Sequence, residues 1–284
     1  MTEADADTHS AALLSRIERY YDAVPRAAAR VEEHGSLTLF VREGAGWPYY
    51  ARPALRPDAP PPSAADVTAV AARQRELGVP EAFEWVAETT PGMRAAVEEA
   101  GLRISAHPLM ARGASAPLPD PHPLVRVLNA RDPFLAAALA LPHVAFAEPG
   151  TGVGSAGAAE LSSMVAERAG DGSVPDAQDR IRAGRLVLAA AVENGVVLCS
   201  GMHLPVGDVT EIAGVGTLPV ARRRGLGLAV TSALLSEAVA SGASTVFLSA
   251  GDDEVARIYA RLGFAPVGTA MIASAPDPSS PSGD

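Results

Sequence analysis

The spacing of apolar residues changes repeatedly between helical and strand-like patterns, which predicts a mixed α/β (α+β) protein. Leu13, Leu14, Ile17, Tyr20 and Tyr21, for example, fall on one side of a helix. Helical patterns cover residues 10–33, 64–77, 90–100, 132–141, 158–169, 175–183 and 252–262, and a further helix begins at 225. Strand patterns cover 37–41, 47–51, 83–87, 102–110, 124–128, 185–191, 196–204, 208–218, 245–249 and 264–273.

Two proline-rich stretches interrupt these patterns. Residues 53–64 cannot form regular structure, and residues 113–123 contain four prolines, which favour a stiff, extended linker. We place the domain boundary at this linker, which gives a first domain at 1–112 and a second at 124–273. Residues 274–284 have the composition of a disordered tail.

The composition excludes some classes of function. A net charge of −10 argues against nucleic acid or an anionic membrane as the main partner. No apolar run reaches the roughly 18–20 residues of a membrane-spanning helix, and the acidic start is unlike a secretory signal. The single cysteine, Cys199, lies in an apolar run, which predicts a buried side chain and suits a reducing cytoplasm. The six histidines show no metal-ligand spacing, so we expect no bound metal. The sequence is compatible with a monomer or a homodimer.

The stretch from Glu211 to Gly227 is the most informative part of the chain. A strand pattern ends near Pro219, three arginines follow at 222–224, and Gly225-Leu226-Gly227 leads directly into a helix pattern. A helix N-terminus presents free backbone N–H groups and the positive end of the helix dipole. This arrangement predicts an anion-binding turn, and phosphate is its usual ligand.

The second half of the chain resembles the GNAT N-acetyltransferase family. Arg222-Arg223-Arg224-Gly225-Leu226-Gly227 matches the R-x-x-G-x-G signature of that family, and the helix ending Tyr259-Ala-Arg-Leu-Gly263-Phe264 matches its Y-x-x-x-G-F pattern. The resemblance covers residues 124–273. It implies the acyl-CoA N-acyltransferase fold, a mixed, mostly antiparallel twisted sheet flanked by helices, with acetyl-CoA as co-substrate and an amine as acceptor.

The resemblance also assigns residues to the coenzyme. The backbone of Val215, Gly216 and Thr217 would lie along the pantetheine arm and steady the thioester oxygen. The loop from 222 to 227, that is Arg222, Arg223, Arg224, Gly225, Leu226 and Gly227, would hold the pyrophosphate. Asp252 stands where the family often has asparagine, which leaves open any amide contact with the coenzyme. The arginines could equally be solvated only.

Two residues are implied as catalytic. Tyr259 would protonate the departing thiolate, although its ring could instead simply pack under the sheet. Glu211 would accept the ammonium proton of the acceptor through water, although it could also only face solvent. Asp208 and His203 are weaker candidates for the base. The Gly152-Val-Gly154-Ser-Ala-Gly157 run fits a dinucleotide fingerprint, but no strand precedes it, so a loop over the acceptor site is preferred.

The first half repeats the order of the second, which suggests a tandem fold with a degenerate first copy. An offset of 162 residues places Val97 opposite Tyr259 and the proline-rich residues 55–62 opposite the phosphate loop. Prolines have no N–H to donate, so we expect a structural first domain without a coenzyme site. An unrelated α+β domain is the alternative. The predicted function is acetyl transfer to a primary amine of a small molecule or peptide by direct attack, and the alternative is a non-catalytic acyl-CoA sensor.

Overall fold

The structure, a computed structural model, describes residues 3–112 and 120–276. The described chain divides into two compact units. Unit 1 comprises the described residues of 1–109 and 267–284, and unit 2 comprises those of 110–266. Residues 113–119 of the predicted linker and 277–284 of the predicted tail lie outside the described residues.

The elements follow the predicted alternation. The first half contains α1 (Glu3–Arg26), β1 (Ala29–His34), β2 (Leu37–Arg42), β3 (Ala51–Pro53), α2 (Ala64–Glu76), β4 (Ala82–Val86), α3 (Gly92–Glu99) and β5 (Arg103–Arg112). The second half contains β6 (Val125–Leu128), α4 (Leu135–Ala147), α5 (Ala158–Glu167), α6 (Ser173–Arg182), β7 (Val187–Glu193), β8 (Val196–Val206), β9 (Val209–Thr217), α7 (Leu226–Ala240), β10 (Thr245–Ser249), α8 (Asp253–Ala260) and β11 (Phe264–Ser274). A short 3₁₀ turn covers Pro219–Ala221.

Unit 1 is built on a sheet with the strand order β1-β2-β3-β4-β11-β5. The β1/β2, β2/β3 and β4/β11 pairs are antiparallel, whereas β3 and β4 are parallel and share the single pair Ala51↔Phe83. The apolar side chains of α2 and α3 cover one face of this sheet. The core residues there include Val67, Val70, Phe83, Trp85, Met93 and Val97.

Unit 2 contains the strand order β10-β9-β8-β7-β6. The pairs from β6 to β9 are antiparallel, and β9/β10 is parallel. The turn between β7 and β8 is the predicted Asn-Gly hairpin, with positive φ at Asn194 (51°) and Gly195 (78°). Helices α4 and α7 pack against the β8–β9 part of the sheet.

Two local predictions in the first half are wrong. The helix predicted over 10–33 ends at Arg26, just after Pro25, and residues 29–34 form β1 instead. These residues pair with β2 from Ala29↔Arg42 to His34↔Leu37, so tertiary pairing overrides their weak helical pattern. The second strand of the predicted first hairpin begins at Ala51 rather than at Trp47.

The units differ from the predicted domain limits at the last strand. Residues 267–274 of β11, predicted to complete the second domain, group with unit 1. They do so because Ala270–Ser274 form a continuous antiparallel ladder with Val86–Ala82 of β4. Across residues 3–112 and 120–276, no helix combines the length and the apolar character that crossing a membrane requires.

Candidate functional site

The candidate site of unit 2 lies at the β9–β10 fork, the point where the two parallel strands separate. The two strands pair only from Thr245↔Val209 to Phe247↔Glu211. Beyond this point β9 continues for six residues, from Ile212 to Thr217, and that segment lines a cavity of about 700 Å³. The far walls of the cavity come from the start of α7, from α8 and from the segment after α4.

The free edge of β9 presents backbone groups to the cavity. Leu218 donates its N–H to the carbonyl of Leu198 at 2.9 Å, so the backbone of residue 218 faces β8. Because backbone polar groups alternate along a strand, those of Val215 and Thr217 face away from β8, toward the cavity. The strand also bulges here: Gly214 has φ 62°, and the register shifts between Ser200↔Gly216 and Met202↔Ala213.

The loop into α7 forms a cluster of backbone donors. Among the described residues, none accepts a hydrogen bond from the N–H groups of residues 223–228, and the first helical bond runs from Ala229 to Gly225. Arg223 (φ 65°) and Gly225 (φ 75°) both have left-handed backbones, which turn the chain sharply into the helix. A non-glycine residue in this region is uncommon and points to a functional constraint. The loop therefore fits a phosphate group.

The three arginines have different surroundings. Arg222 donates to the carbonyl oxygens of Ala145 (2.9 Å), Glu148 and Gly152 (3.2 Å), which all belong to the cavity wall after α4. Arg224 makes a two-point ion pair with Glu193 at 2.8 and 3.0 Å. Arg223 is 64% exposed, lines the cavity and lies 3.6 Å from Glu254. Of the three guanidinium groups, that of Arg223 is the least committed to protein contacts.

Tyr259 belongs to α8 and lines the same cavity as the phosphate loop. Its ring packs edge-on against Phe264 at 6.2 Å between centroids. Burial raises the pKa of Tyr259 to about 12, the buried Cys199 adds to the rise, and a hydrogen bond with Thr231 opposes it. The phenol is therefore protonated at neutral pH, and its hydroxyl group has Thr231 as a partner.

Comparisons with known proteins identify the fold. An FR47-like protein family model matches residues 198–271, which include β9, α7, β10 and α8 and most of β8 and β11. A GCN5-related N-acetyltransferase from Kribbella flavida has a similar structure, with a TM-score of 0.64 and 23% sequence identity over 93% of this chain and 96% of that one. The fold is therefore that of the GCN5-related N-acetyltransferases (GNATs).

Most of the chain is also similar in structure to a tandem GNAT protein and to a GNAT-like protein. The tandem GNAT protein of the clavulanic acid biosynthesis pathway aligns with a TM-score of 0.51 and 15% identity over 86% of this chain and 79% of that one. A GCN5-related N-acetyltransferase-like protein from Streptococcus suis gives 0.52 and 11% over 93% and 98%. No curated protein sequence matches the chain. The tandem GNAT fold predicted from the sequence is confirmed at the level of structure.

Within this GNAT fold the predicted coenzyme residues lie together. Val215, Gly216, Thr217, Arg222, Arg223, Gly225, Leu226, Gly227 and Asp252 all line the cavity, as does Tyr259. Arg224 is paired with Glu193 beside the loop and is not part of the lining. Asp252 caps α8 by accepting from Val255 N–H at 2.8 Å, as predicted from its position.

The predicted base candidates occupy different faces of the sheet. Glu211 lies opposite Leu204, and the register places it on the α4 face, at the vertex of the β9–β10 fork and one residue before the cavity lining begins. His203 is buried on the α7 face, where its ring contacts Thr210 at 3.0 Å and Glu237. Asp208 bonds Ser244 at the β8–β9 turn. Neither His203 nor Asp208 lines the cavity.

The glycine-rich segment 148–157 forms a wall of the cavity rather than a dinucleotide loop. Pro149, Gly150 and Thr151 line the cavity, and Thr151 donates to Glu254 of α8 at 2.9 Å. A side chain at Gly154 would collide with the carboxylate of Glu148, which accepts from the N–H groups of 155 and 156. Glycine is therefore required here for packing within the loop.

Sequence reasoning missed some of the residues that form the site. The contact of Arg222 with three carbonyl groups could not be read from the chain, because its partners lie 70 to 77 positions earlier. The bulge at Gly214 did carry a signal, since an isolated glycine in a strand pattern indicates a bulge. Buried Cys199, predicted as apolar filler, is fully buried, and burial raises the pKa of its thiol to about 12. Within the described residues, no group of three or more His, Cys, Asp and Glu side chains could hold a metal ion.

Proposed function

We propose that unit 2 is an N-acetyltransferase that moves an acetyl group from acetyl-CoA to a primary amine of a small molecule or peptide. The observation that carries the proposal is the continuity of two features: the unpaired edge of β9 leads directly to the six free N–H groups of residues 223–228. A ligand with an amide-containing arm and a terminal pyrophosphate fits both features at once. Acetyl-CoA has this chemistry and supplies the activated acyl group.

The backbone and the loop would orient the coenzyme. The backbone groups of Val215 and Thr217 would bond the pantetheine amides as a further strand, and an N–H group of this same free edge would stabilise negative charge on the thioester oxygen. Residues 223–228 would hold the pyrophosphate, helped by the α7 dipole and the exposed Arg223. Gly227 keeps this approach open, since it has no side chain over the first turn.

Proton transfer would involve one residue on each side of the fork. Glu211, on the α4 face at the vertex, would accept the ammonium proton of the acceptor through water, which leaves a neutral amine to attack directly. Tyr259 would donate to the departing sulfur. Against a thiol of ordinary pKa, roughly 8.5, a phenol with a pKa of about 12 is a weak acid. Desolvation in the cavity would also raise the pKa of the departing thiol, which would narrow the difference between donor and acceptor.

A second candidate function is a non-catalytic acyl-CoA sensor. It is favoured by the position of Glu211, which lies beside the cavity lining rather than in it. A sensor would keep the phosphate loop and the fork but would not need a base in contact with an acceptor.

The two candidates are separated by measuring thiol release and binding on the full chain. Thiol release from acetyl-CoA with a panel of primary amines is followed beside the thermal shift produced by acetyl-CoA. The proposal expects a shift and amine-dependent thiol release that the Tyr259→Phe variant lacks. A shift without turnover on any amine would favour the sensor, and no shift with acetyl-CoA or longer acyl-CoAs would contradict both.

A further inference from the structure

The side chain of Arg222 points away from the phosphate loop that it begins. Its guanidinium group contacts the carbonyl oxygens of Ala145, Glu148 and Gly152, with bonds of 2.9 Å to Ala145 and 3.2 Å to Gly152. Ala145 belongs to the last turn of α4, whose carbonyl groups have no helical partner, and a cation is favoured at that end of a helix dipole. Three acceptors in a fixed arrangement suit the planar fork of arginine.

The segment held by Arg222 is a cavity wall. Pro149, Gly150 and Thr151 line the cavity and lie between the carbonyl groups of Glu148 and Gly152 that Arg222 binds. The same wall is attached to the chain just before Arg222 by two backbone bonds, from Gly154 N–H to Pro219 at 3.0 Å and from Val220 N–H to Ala156 at 3.2 Å.

We infer that Arg222 is a positioning residue that fixes the 148–157 wall of the cavity and is not a ligand of the coenzyme phosphates. The backbone N–H groups that follow it, from 223 onward, hold the anion, while its side chain holds the wall. One residue thus links the phosphate loop to the cavity wall on the α4 face of the sheet, the face on which Glu211 also lies. The role in turnover rests on the proposed function, whereas the role in holding the wall does not.

Two variants and one control test this inference. Arg222→Met removes the three hydrogen bonds, Arg222→Lys keeps the charge without the planar fork, and Arg224→Met removes the neighbouring arginine that pairs with Glu193. Amide hydrogen exchange of residues 150–157 is measured in the full chain without ligand. Affinity for coenzyme A is measured by calorimetry at low and high salt.

Arg222→Met should raise amide exchange in residues 150–157 by about 10-fold or more, because local opening becomes easier. Arg222→Lys should give an intermediate rise, and Arg224→Met should leave exchange in this segment unchanged. Affinity of Arg222→Met for coenzyme A should fall by less than about 5-fold, with the salt dependence of the wild type, since no phosphate contact is lost. Where an amine substrate is available, kcat should fall more than KM for acetyl-CoA rises.

The opposite pattern would overturn the inference. Unchanged exchange in residues 150–157 of Arg222→Met would show that the side chain does not hold the wall. A loss of coenzyme A affinity well beyond 5-fold with a weaker salt dependence would identify Arg222 as a phosphate ligand. A wild-type chain that fails to bind coenzyme A would refute the proposed function, and the exchange measurement would still decide the role of Arg222.

Discussion

In each unit a helix follows the first strand of a parallel pair: α2 follows β3 in unit 1, and α7 follows β9 in unit 2. The N-termini of these two helices differ in the groups that accept hydrogen bonds from their backbone N–H groups. At α7 the N-cap is Gly225, without a side-chain cap, and no described residue accepts a hydrogen bond from the N–H groups of residues 223–228. At α2 the N-cap is Ser63, whose hydroxyl accepts from Asp66 N–H at 3.2 Å. The carboxylate of Asp66 is itself bonded by Ser36 and Ser63 at 2.7 and 2.8 Å, and these bonds hold its pKa below the ordinary value.

The comparison explains why we propose an anion site in unit 2 and none in unit 1. In unit 1 the protein supplies its own anion, Asp66, at the third position of the helix, and prolines at 57 and 60–62 remove N–H donors from the preceding loop. In unit 2 the same helix position is Leu228, and the preceding loop has arginines and glycine. Because the carboxylate of Asp66 already compensates the dipole of α2, the N-terminus of this helix would attract a phosphate only weakly.

The forks differ in the same way. In unit 1 the residues after the single β3–β4 pair are Arg52 and Glu84, and Arg52 is buried in an ion pair with Glu18 of α1. The guanidinium group also lies 5.8 Å from the ring centroid of Tyr21. In unit 2 the corresponding fork opens into the cavity. Tyr259 lies in the cavity wall, whereas Val97, its counterpart in unit 1 at the offset of 162 residues, is buried. The space between the parallel strands is therefore filled by side chains of the protein in unit 1 and is open in unit 2.

The largest expected effect comes from giving α7 the acid that closes α2. Leu228→Asp places a carboxylate at the third helical position, where it would be favoured by the helix dipole but would repel a pyrophosphate. We expect at least about a 100-fold loss of coenzyme A affinity, since like charges a few ångströms apart cost a few kcal/mol near a protein surface. Calorimetry with Leu228→Asn as the uncharged control measures it. Equal affinities for the two variants would show that the phosphate lies elsewhere.

Tyr259→Phe makes the second unit resemble the first at its acid position. We expect kcat to fall by about 100-fold, the lower end of the range for general acid catalysis, while affinity for coenzyme A changes little. Steady-state kinetics with acetyl-CoA and calorimetry on the same preparation provide the measurement. Full activity in Tyr259→Phe would leave the tyrosine with a packing role against Phe264 only.

The filled fork of unit 1 predicts a dependence of stability on pH. Burial raises the pKa of Glu84 to about 7, and Arg52 opposes the rise. A carboxyl whose folded pKa is raised stabilises the fold below its unfolded pKa, near 4.5, and this contribution is lost as pH rises through 7. Between pH 5 and 8 we expect a loss on the order of 1 kcal/mol that Glu84→Gln, neutral throughout, removes. Parallel pH profiles of thermal unfolding for both proteins would argue against this assignment.

Removing the cap of α2 should affect stability alone. Ser63→Ala deletes the acceptor of Asp66 N–H and should cost about 1 kcal/mol of unfolding free energy, as for other N-caps. Affinity for coenzyme A should stay at the wild-type value, because α2 is not part of the proposed site. Chemical denaturation and calorimetry check the two halves of the prediction. A change in coenzyme affinity would mean that unit 1 takes part in binding.

The smallest expected effects come from Gly227→Ala, and they have opposite signs. A Cβ at residue 227 would lie 3.7 Å from Thr217 Oγ1, an ordinary contact, so the helix should gain roughly 0.5–1 kcal/mol. The added methyl group lies over the first turn, so affinity for coenzyme A should fall by several-fold. Improved stability together with unchanged affinity would show that Gly227 is not approached by the ligand.

The order of elements in the fold was predictable, because caps and turns mark most of them. Ser63, Gly78, the Asn194-Gly195 turn and Asp252 all act as the sequence suggests. Strand β1 was not predictable, since the apolar pattern of Ala29–His34 is weak and the strand forms because it pairs with β2. Residues 267–274 group with unit 1 because of a ladder with β4, which lies 184 to 192 positions earlier in the chain, and no local pattern encodes that pairing.

The site was predictable where a motif implied backbone geometry and not where long side chains decide. The run 222–227 indicated a helix N-terminus with free donors, and the structure has it. The sequence left each guanidinium group open between a phosphate contact and solvent, and in the structure Arg222 contacts carbonyl groups and Arg224 contacts Glu193. An arginine reaches partners from distant elements, so its contact follows from the packing of those elements.

The most direct test of the account is a calorimetric titration of the full chain with coenzyme A, repeated on Leu228→Asp. We expect one molecule to bind per chain, at the N-terminus of α7, and no measurable binding to the variant. Two molecules per chain, or wild-type binding by Leu228→Asp, would contradict the claim that unit 2 alone keeps an open phosphate site.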